Sequence, residues 1–412
     1  MDENYDLGIV GAGPAGYSAA FHARNKGLSV ILFDKDKAGG VCLNRGCIPT
    51  KAILHSAELY EELKCSRELG ILADNIGFDY AKVVEHKDKV VEKLRKGLEL
   101  SLKNAGVKYV NQYAEIEDNK IISEGEVYNC KKIIAAVGSE PKDFENFRFD
   151  HEFILSSDDI LNMTSLPKNI LIVGSGAIGI EWARIFSAFD VEVTIVEAAE
   201  HLLPLADIEV SKRIERIFKS KNIKMYLSNT VEKIDRNEHS LVLKTGEKMS
   251  FEKVLLAVGR RVNDSFDAQI CIGDACQKIQ LAHFAIKQAI NNICDIEFDE
   301  TLVPSVIYGC PEIAWVGKRE QDLEEGTYEK SMMLISALGK SHCDNCTEGF
   351  IKILSQGGKI IGAHIVSKEA SALIQQITIA MQHGITIAEL KKVCFAHPTY
   401  SEGIFESLFR TK

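Results

Sequence analysis

At 412 residues, with a net charge of -10 and basic residues spread along its length, the chain is long enough for about two to four domains and carries no nucleic-acid footprint. Apolar residues make up 46% of it, enough for real cores, yet no run approaches the roughly 18 apolar residues of a membrane span. Eleven cysteines, an odd number, are scattered along a chain whose N-terminal residues lack a secretory-signal pattern, and this points to a reducing, cytoplasmic setting.

The first elements are a short apolar strand, YDLGIV, a glycine turn, GAGPAG, and a helix over PAGYSAAFHARNKG. A buried strand, LSVILFD, then ends in an acid. Strand, glycine turn, helix, strand and acid form the dinucleotide-binding pattern. Gly11 permits the tight turn, Gly13 lets the backbone approach a pyrophosphate, and Gly16 lets the helix pack closely on the strand. The helix N-terminus presents unpaired N–H groups to phosphates, and Asp34 is placed to accept hydrogen bonds from ribose hydroxyls.

GGVCLNRGCIPTK follows at residues 39–51. In one regular helix, residues five apart stand about 8 Å apart on different faces, too far to bridge. A Cys42–Cys47 disulfide therefore requires an irregular backbone, and Asn44 and Gly46 are residues that tolerate one. A helix beginning near Cys47, with Pro49 in its first turn, stabilises a thiolate there, and Lys51 lies on the same face. The alternative is a pair of buried free thiols. Farther on, IIAAVGS (133–139) reads as a strand entering a glycine-bearing turn.

The dinucleotide pattern recurs over residues 169–198, with Gly174, Gly176, Gly179 and Glu197. Gly11 to Asp34 and Gly174 to Glu197 both span 23 positions, so the chain is expected to bind two dinucleotides. A flavin exchanges electrons with a disulfide, so the first unit, beside the cysteine pair, is assigned to FAD. Glu197 favours a free 2'-hydroxyl, and EAAEHLLP has no arginine for a 2'-phosphate, so the second unit is assigned to NAD. QICIGDA (269–275) is a second strand entering a glycine turn, and it places Asp274 toward the flavin's polyol chain.

HCDNC, with His342, Cys343 and Cys346, resembles part of a zinc or thioredoxin-like site. A fourth ligand is not evident, so the stretch is read as an exposed loop without a metal. Cys271 and Cys276 repeat the spacing of the first pair, but Asp274 between them is committed to FAD. The stretch EASALIQQITIAMQHG carries Leu373, Ile374, Ile377, Ala380 and Met381 at helical spacing, a stripe read as a surface for a partner subunit. In FAHPTYSEGIFESL, His397 precedes Glu402 by five residues; a histidine takes a proton from a dithiol near neutral pH, and a carboxylate orients it.

GGVCLNRGCIPTK, GSGAIGIE, AVGRR, IGDA, LAHFA, VPSVIYGCPEIAWVG and HPTYSE, in this order, resemble the flavoprotein disulfide reductases, above all the dihydrolipoyl dehydrogenase group. The resemblance covers nearly the whole chain. It implies an α/β fold with two Rossmann-like dinucleotide-binding domains, for FAD and NAD, and a C-terminal α/β interface domain. The expected boundaries are 1–140 with 264–300 for FAD, 141–263 for NAD, and 301–412 for the interface.

By resemblance, Cys42 is the interchange thiol and Cys47 the thiol against the flavin. Lys51 and Glu181 pair between flavin and nicotinamide, and His397 with Glu402 forms the base. Gly138, Asp274, Ala282, His283 and Lys51 join the FAD site, and Gly259 and Glu181 join the NAD site. Glu181 is placed on the first turn of its helix, where an acid could instead simply answer the helix dipole.

The implied partners are a lipoyl-bearing acyltransferase or a glycine cleavage carrier protein, and a second copy of the chain in a homodimer whose active site is shared. Two other readings stand beside this one: a related reductase of another thiol, and a catalytically weak subunit that binds a complex core. The connection between Arg261 and Ile272 is shorter than the family usually has.

Overall fold

The computed structural model describes residues 4–117, 120–263, 268–276 and 279–410. The first unit runs through β1 (Asn4–Val10), α1 (Pro14–Asn25), β2 (Val30–Phe33), α2 (Gly40–Arg45), α3 (Cys47–Lys64), α4 (Tyr80–Asn104), β3 (Lys108–Val110), β4 (Glu115–Glu117), β5 (Lys120–Ser123) and β6 (Glu126–Ala135). Its sheet has the order β3-β2-β1-β6-β5-β4. The β3-β2-β1-β6 part is parallel, whereas β4 and β5 extend it as an antiparallel meander, an addition the dinucleotide pattern does not encode.

The chain leaves this sheet through β7 (Ser139–Pro141) and builds a second parallel sheet. That sheet uses β8 (Ile154–Leu155), β9 (Asn169–Val173), β10 (Glu192–Val196), β11 (Lys224–Tyr226) and, later, β15 (Lys253–Leu256), in the order β11-β10-β9-β15-β8. The helices α5 (Ser157–Ile160), α6 (Ala177–Ala188) and α7 (Ile208–Ser220) accompany it, and β12 (Val231–Asp235), β13 (Ser240–Leu243) and β14 (Lys248–Ser250) form a small antiparallel sheet.

The chain returns through β16 (Arg260–Val262), which pairs antiparallel with β7. Because exit and return strands are neighbours, a short connection suffices to reach β17 (Ile270–Cys271). Residues 264–267 of that connection lie outside the described residues. β17 pairs in parallel with β6, Ile270 beside Ile134, so the chain rejoins the first sheet. α8 (Ala282–Cys294) then packs beside α1. Ala15, Ala19, Ala285 and Ala289 line this contact region and are buried, and their small side chains let both helices approach the sheet closely.

The last unit is an antiparallel sheet of β18 (Ser305–Ile307), β19 (Glu312–Gly317), β20 (Glu329–Leu334), β21 (Phe350–Gln356) and β22 (Lys359–Ser367), in the order β18-β19-β22-β21-β20. It is joined by α9 (Gly339–Cys343), α10 (Ala370–Gln382), α11 (Ile387–Leu390) and α12 (Glu402–Ser407). The stripe on α10 is covered within its own chain. Leu373, Ile374 and Ile377 are each only 1% exposed and pack with Ala363 and Ile365 of β22. The expectation that this stripe awaits a partner subunit is thereby corrected: an amphipathic helix beside a sheet buries its apolar face on that sheet first.

The units are stitched by buried charge. Lys352 of β21, fully buried, bonds Asp207 at 2.8 and 3.0 Å and also meets Glu209 and Glu320. Asp207 caps α7 of the second unit, so this cluster fixes the last sheet against it. Among the described residues, no helix is long and apolar enough to cross a membrane.

Candidate active site

The cysteine stretch is two helices meeting at an angle. α2 ends at Arg45, Gly46 turns the chain, and α3 starts at Cys47. A Cβ on Gly46 would lie 3.0 Å from the Val41 carbonyl oxygen, so glycine lets α3 fold onto α2 without crowding. Asn44 is not irregular, contrary to the sequence expectation. It is helical, and its amide donates to the carbonyls of Ala38 and Gly40 at 3.0 Å each, which anchors α2.

Cys42 and Cys47 are half-buried free thiols in hydrogen-bond contact. The bond from Cys42 lowers the Cys47 thiol to about 7, helped by the Lys51 cation and opposed by burial and by Glu181. The same bond, together with burial, raises Cys42, although Lys51 pulls the other way. The pair therefore holds its negative charge on Cys47. α3 has no side-chain cap and no acid in its first turn, so its N-terminal N–H groups favour that charge too.

Lys51, one turn on, donates to both oxygens of Glu181 at 2.8 and 2.7 Å. Glu181 is the fifth residue of α6, at the start of its second turn, which corrects the first-turn placement. It is 5% exposed, and its depth makes the ion pair necessary rather than a dipole effect at the helix start. α6 is apolar on nearly every face because it lies between its own sheet and α3. Its two buried charged groups therefore seek partners. Glu181 also accepts from the Tyr308 amide at 3.1 Å, and Arg184 donates to the Pro311 carbonyl at 3.3 Å. Lys51 sits 4.8 Å from the centre of the Tyr308 ring.

The two glycine turns test whether dinucleotides fit. Gly11 has a φ of 104°, and a Cβ there would lie 2.2 Å from the Ala136 carbonyl oxygen. A Cβ on Gly16 would lie 1.7 Å from the Gly11 carbonyl oxygen, and one on Gly179 would lie 2.1 Å from that of Gly174. These glycines serve the protein's own packing. The middle glycines do not. Gly13 and Gly176 have ordinary φ values of -73° and -69°. A Cβ at Gly176 meets nothing within 4 Å, and one at Gly13 meets only Gly40 Cα, at 3.7 Å. The space above each middle glycine is open, and α1 and α6 both start without a side-chain cap. Open space beside free N–H groups is the cradle a pyrophosphate fills.

The acids behave alike in the two units. Asp34 accepts from the Ala12 amide at 2.6 Å and the Asp36 amide at 2.8 Å, and burial raises its carboxyl. Glu197 accepts from the Ser175 amide and hydroxyl at 2.8 and 2.7 Å and from the Ala199 amide at 2.8 Å. Each acid is thus held at its glycine turn.

Asp274 is the second residue of a turn that starts at Gly273, which lies close between α1 and α8, and its Oδ2 accepts from the Ser139 hydroxyl at 2.6 Å. Arg260 donates to the Ser139 hydroxyl and carbonyl at 2.8 and 2.7 Å, and its charge also reaches Asp274 and Cys47. Gly138 and Gly259 both have positive φ, 72° and 102°, in the turns beside β7 and β16. Ala282 is the first residue of α8, whose N-terminus also lacks a side-chain cap, and His283 Nε2 bonds the Pro304 carbonyl at 2.8 Å. Sequence reasoning assigned no role to Arg260, Ser139, Tyr308 or Arg184. All four lie inside stretches already singled out, Ser139 closing IIAAVGS, Arg184 within residues 169–198, Arg260 in AVGRR and Tyr308 in VPSVIYGCPEIAWVG, and that is the signal that could have flagged them.

His397 Nδ1 meets Glu402 Oε1 at 2.7 Å, and Glu402 Oε2 accepts from the Thr399 amide at 2.8 Å. The Thr399 amide, then His397, hold the Glu402 carboxyl below its usual range. The His397 side chain is 76% exposed, and its Nε2 makes no hydrogen bond among the described residues.

HCDNC is exposed at His342, Cys343 and Asn345, as expected, but it is not all loop. Its first two residues end α9, and His342 Nε2 bonds the Ser336 carbonyl at 2.8 Å. Cys346 turns inward to Cys310, Sγ to Sγ 3.5 Å. Among the described residues, no group of three or more His, Cys, Asp or Glu is placed to hold a metal. Cys271 and Cys276 also touch through their thiols, and Cys276 Sγ lies 2.7 Å from the Cys271 carbonyl.

The chain matches the model of the pyridine nucleotide-disulphide oxidoreductases over residues 5–275 and that of the family's dimerisation domain over residues 303–408. It is 32% identical to a dihydrolipoyl dehydrogenase of Mycoplasma pneumoniae, which spans 97% of both chains. It is also 32% identical to a leghemoglobin reductase of Vigna unguiculata, over 100% of this chain and 88% of that one. In fold it resembles LpdA from Mycobacterium tuberculosis, with a TM-score of 0.92 at 22% identity over 99% of both chains. Two Rossmann-like units for FAD and NAD and a C-terminal α/β unit agree with that match. The chain belongs to the pyridine nucleotide-disulphide oxidoreductase family.

Proposed function

We propose that the protein is a dihydrolipoyl dehydrogenase, oxidising a dihydrolipoyl group on a carrier protein and passing the electrons to NAD. The observation that carries this reading is the asymmetry of the cysteine pair, with Cys47 lowered to about 7 and Cys42 raised. In the oxidised pair, His397 takes a proton from one substrate thiol, steadied by Glu402. The resulting thiolate attacks Cys42 Sγ. The Cys42–Cys47 bond breaks and Cys47 leaves as a thiolate, the better leaving group because its pKa is the lower. The second substrate thiol then attacks the substrate sulfur bonded to Cys42, which closes the substrate disulfide and releases Cys42 as a thiol. The substrate loses two electrons and the cysteine pair gains them.

Residues at the first glycine turn, with Asp34, Lys51, Gly138, Asp274, Ala282 and His283, would hold FAD, and those at the second, with Glu181, Glu197 and Gly259, would hold NAD. FAD bound there supplies the two-electron relay between the cysteine pair and the nicotinamide. The FAD domain comprises residues 1–140 and 264–300, the NAD domain 141–263, and the interface domain 301–412. The pairing of β17 with β6 supports the discontinuous first domain.

The exposed His397 supports a site shared between two copies, with each base serving its partner's cysteines. The carrier is a lipoyl-bearing acyltransferase or a glycine cleavage carrier protein, in a reducing, cytoplasmic setting. The test is NADH formation from dihydrolipoamide. Absent turnover, with NADH-dependent reduction of other disulfides, would place the protein among the reductases of other thiols. Failure with every thiol substrate would leave it a binding subunit.

A further inference from the structure

We infer that Cys310 and Cys346 form a second redox-active pair, separate from Cys42 and Cys47, that is oxidised to an intramolecular disulfide by small external disulfides. The two thiols come from different parts of the last unit, 36 positions apart, yet their sulfurs stand 3.5 Å from each other. Such an approach does not follow from local chain geometry, unlike the contact between Cys271 and Cys276, which share one short turn.

Both partners are held in place. Cys310 lies in the turn between β18 and β19, pinned on one side by the Tyr308 amide on Glu181 and on the other by Arg184 on the Pro311 carbonyl. Cys346 is set by its own amide on the Ser341 carbonyl at 2.9 Å. The buried Ser341 hydroxyl in turn bonds the carbonyls of Ile335 and Leu338 at 2.7 and 2.8 Å. A disulfide needs about 2.05 Å between sulfurs, so the two must close by about 1.5 Å from their 3.5 Å contact.

The pair has the asymmetry an exchange reaction requires. The bond from Cys310 lowers the Cys346 thiol to about 7, with Lys368 assisting against burial and the charges of Asp344 and Glu62. Cys310 is raised by that same bond and by burial, and Arg184 opposes this. Cys346 is only half-buried, so a small disulfide can reach it. The Cys346 thiolate attacks one sulfur of the external disulfide, whose S–S bond breaks to release one small thiolate. Cys310 then attacks Cys346 Sγ, its proton going to solvent, and the second small thiolate leaves. Two protein thiols are oxidised by two electrons, and one external disulfide is reduced to two thiols.

Linkage ties the turn that carries Tyr308, and through it Glu181, to the segment entering β21. That turn is the one whose Tyr308 amide bonds Glu181, the partner of Lys51.

The test is disulfide mapping of the purified holoenzyme after incubation with oxidised glutathione, alkylation of remaining thiols and proteolysis. A peptide pair joining Cys310 to Cys346 is expected in the wild type and equally in a Cys42→Ser, Cys47→Ser variant, which separates it from the proposed activity. Cys346→Ser should lose the linked peptides, and Cys310→Ser should leave Cys346 as a mixed disulfide with glutathione. Alkylation of both Cys310 and Cys346 while Cys42 and Cys47 are fully linked would overturn the inference, as would linkage of Cys346 to the neighbouring Cys343.

Discussion

Lys51 and Glu181, 130 positions apart, are joined by two hydrogen bonds of 2.8 and 2.7 Å, which lock the helix carrying Cys47 to the helix that opens the second dinucleotide turn. The partners are unequal: the Lys51 side chain is 31% exposed and that of Glu181 only 7%. Lys51→Met leaves a buried carboxylate with little beyond the Tyr308 amide, at a cost of about 2–3 kcal/mol. Glu181→Ala frees a lysine that can turn to water, at about 1 kcal/mol. Thermal unfolding should thus fall further for Lys51→Met, and a reversed order would show that the lysine is the more trapped partner.

The thiol pair predicts a pH signature. The folded Cys47 thiol lies below the ordinary thiol value, at about 7, so its thiolate is present above that pH and is lost as pH falls through it. In the two-electron-reduced, flavin-loaded protein, a long-wavelength charge-transfer absorbance should titrate with a midpoint near 7. Lys51→Met should move the midpoint upward by removing a nearby cation. Cys47→Ser should abolish the band, and its survival would remove Cys47 from the flavin's side.

The glycines of the second turn separate folding from binding. Gly176→Ala adds a Cβ that meets nothing within 4 Å, so the melting temperature should hold while KM for NAD rises about tenfold or more. Gly179→Ala places a Cβ 2.1 Å from the Gly174 carbonyl oxygen and should lower stability by several kcal/mol. Nicotinamide titration and calorimetry on the two variants distinguish these effects. Unchanged NAD binding in Gly176→Ala would move the pyrophosphate elsewhere.

Glu197 is fixed by three hydrogen bonds at its turn, with both oxygens used, so it cannot swing aside for a 2'-phosphate. Repulsion between the two anions should leave NAD preferred over NADP by about 100-fold or more in kcat/KM. Steady-state kinetics with both nucleotides measures this, and equal use would exclude Glu197 from the ribose site.

A shared active site predicts complementation. His397→Ala and Cys42→Ser should each be nearly inactive, since one lacks the base and the other the interchange thiol. In a purified heterodimer of the two, the His397→Ala chain retains Cys42 and its partner retains His397, so one complete site forms and activity should approach half that of the wild type. A heterodimer as inactive as its parents would mean that the base acts within its own chain.

The glycine turns, the acids after each second strand, the helix start at Cys47 and the His397–Glu402 pair were legible from sequence. Each is set by residues within about 25 positions of one another, and turn geometry and helix starts are local physics. The stripe on α10 was legible as a stripe but not in its destination. Periodicity says that a face is apolar, and only the fold shows that β22 covers it.

The Lys51–Glu181 pair was expected from the resemblance alone, and its geometry, like the other long-range pairs, was decided by tertiary structure. Glu181 and Lys51 meet because α6 packs against α3, Asp274 reaches Ser139 because β17 rejoins β6, and Cys346 faces Cys310 because β19 and β21 flank β22 in one sheet. None of these contacts leaves a spacing in the sequence. Their partners are selected by sheet order, and sheet order is fixed by how whole elements bury their apolar faces together rather than by any local pattern.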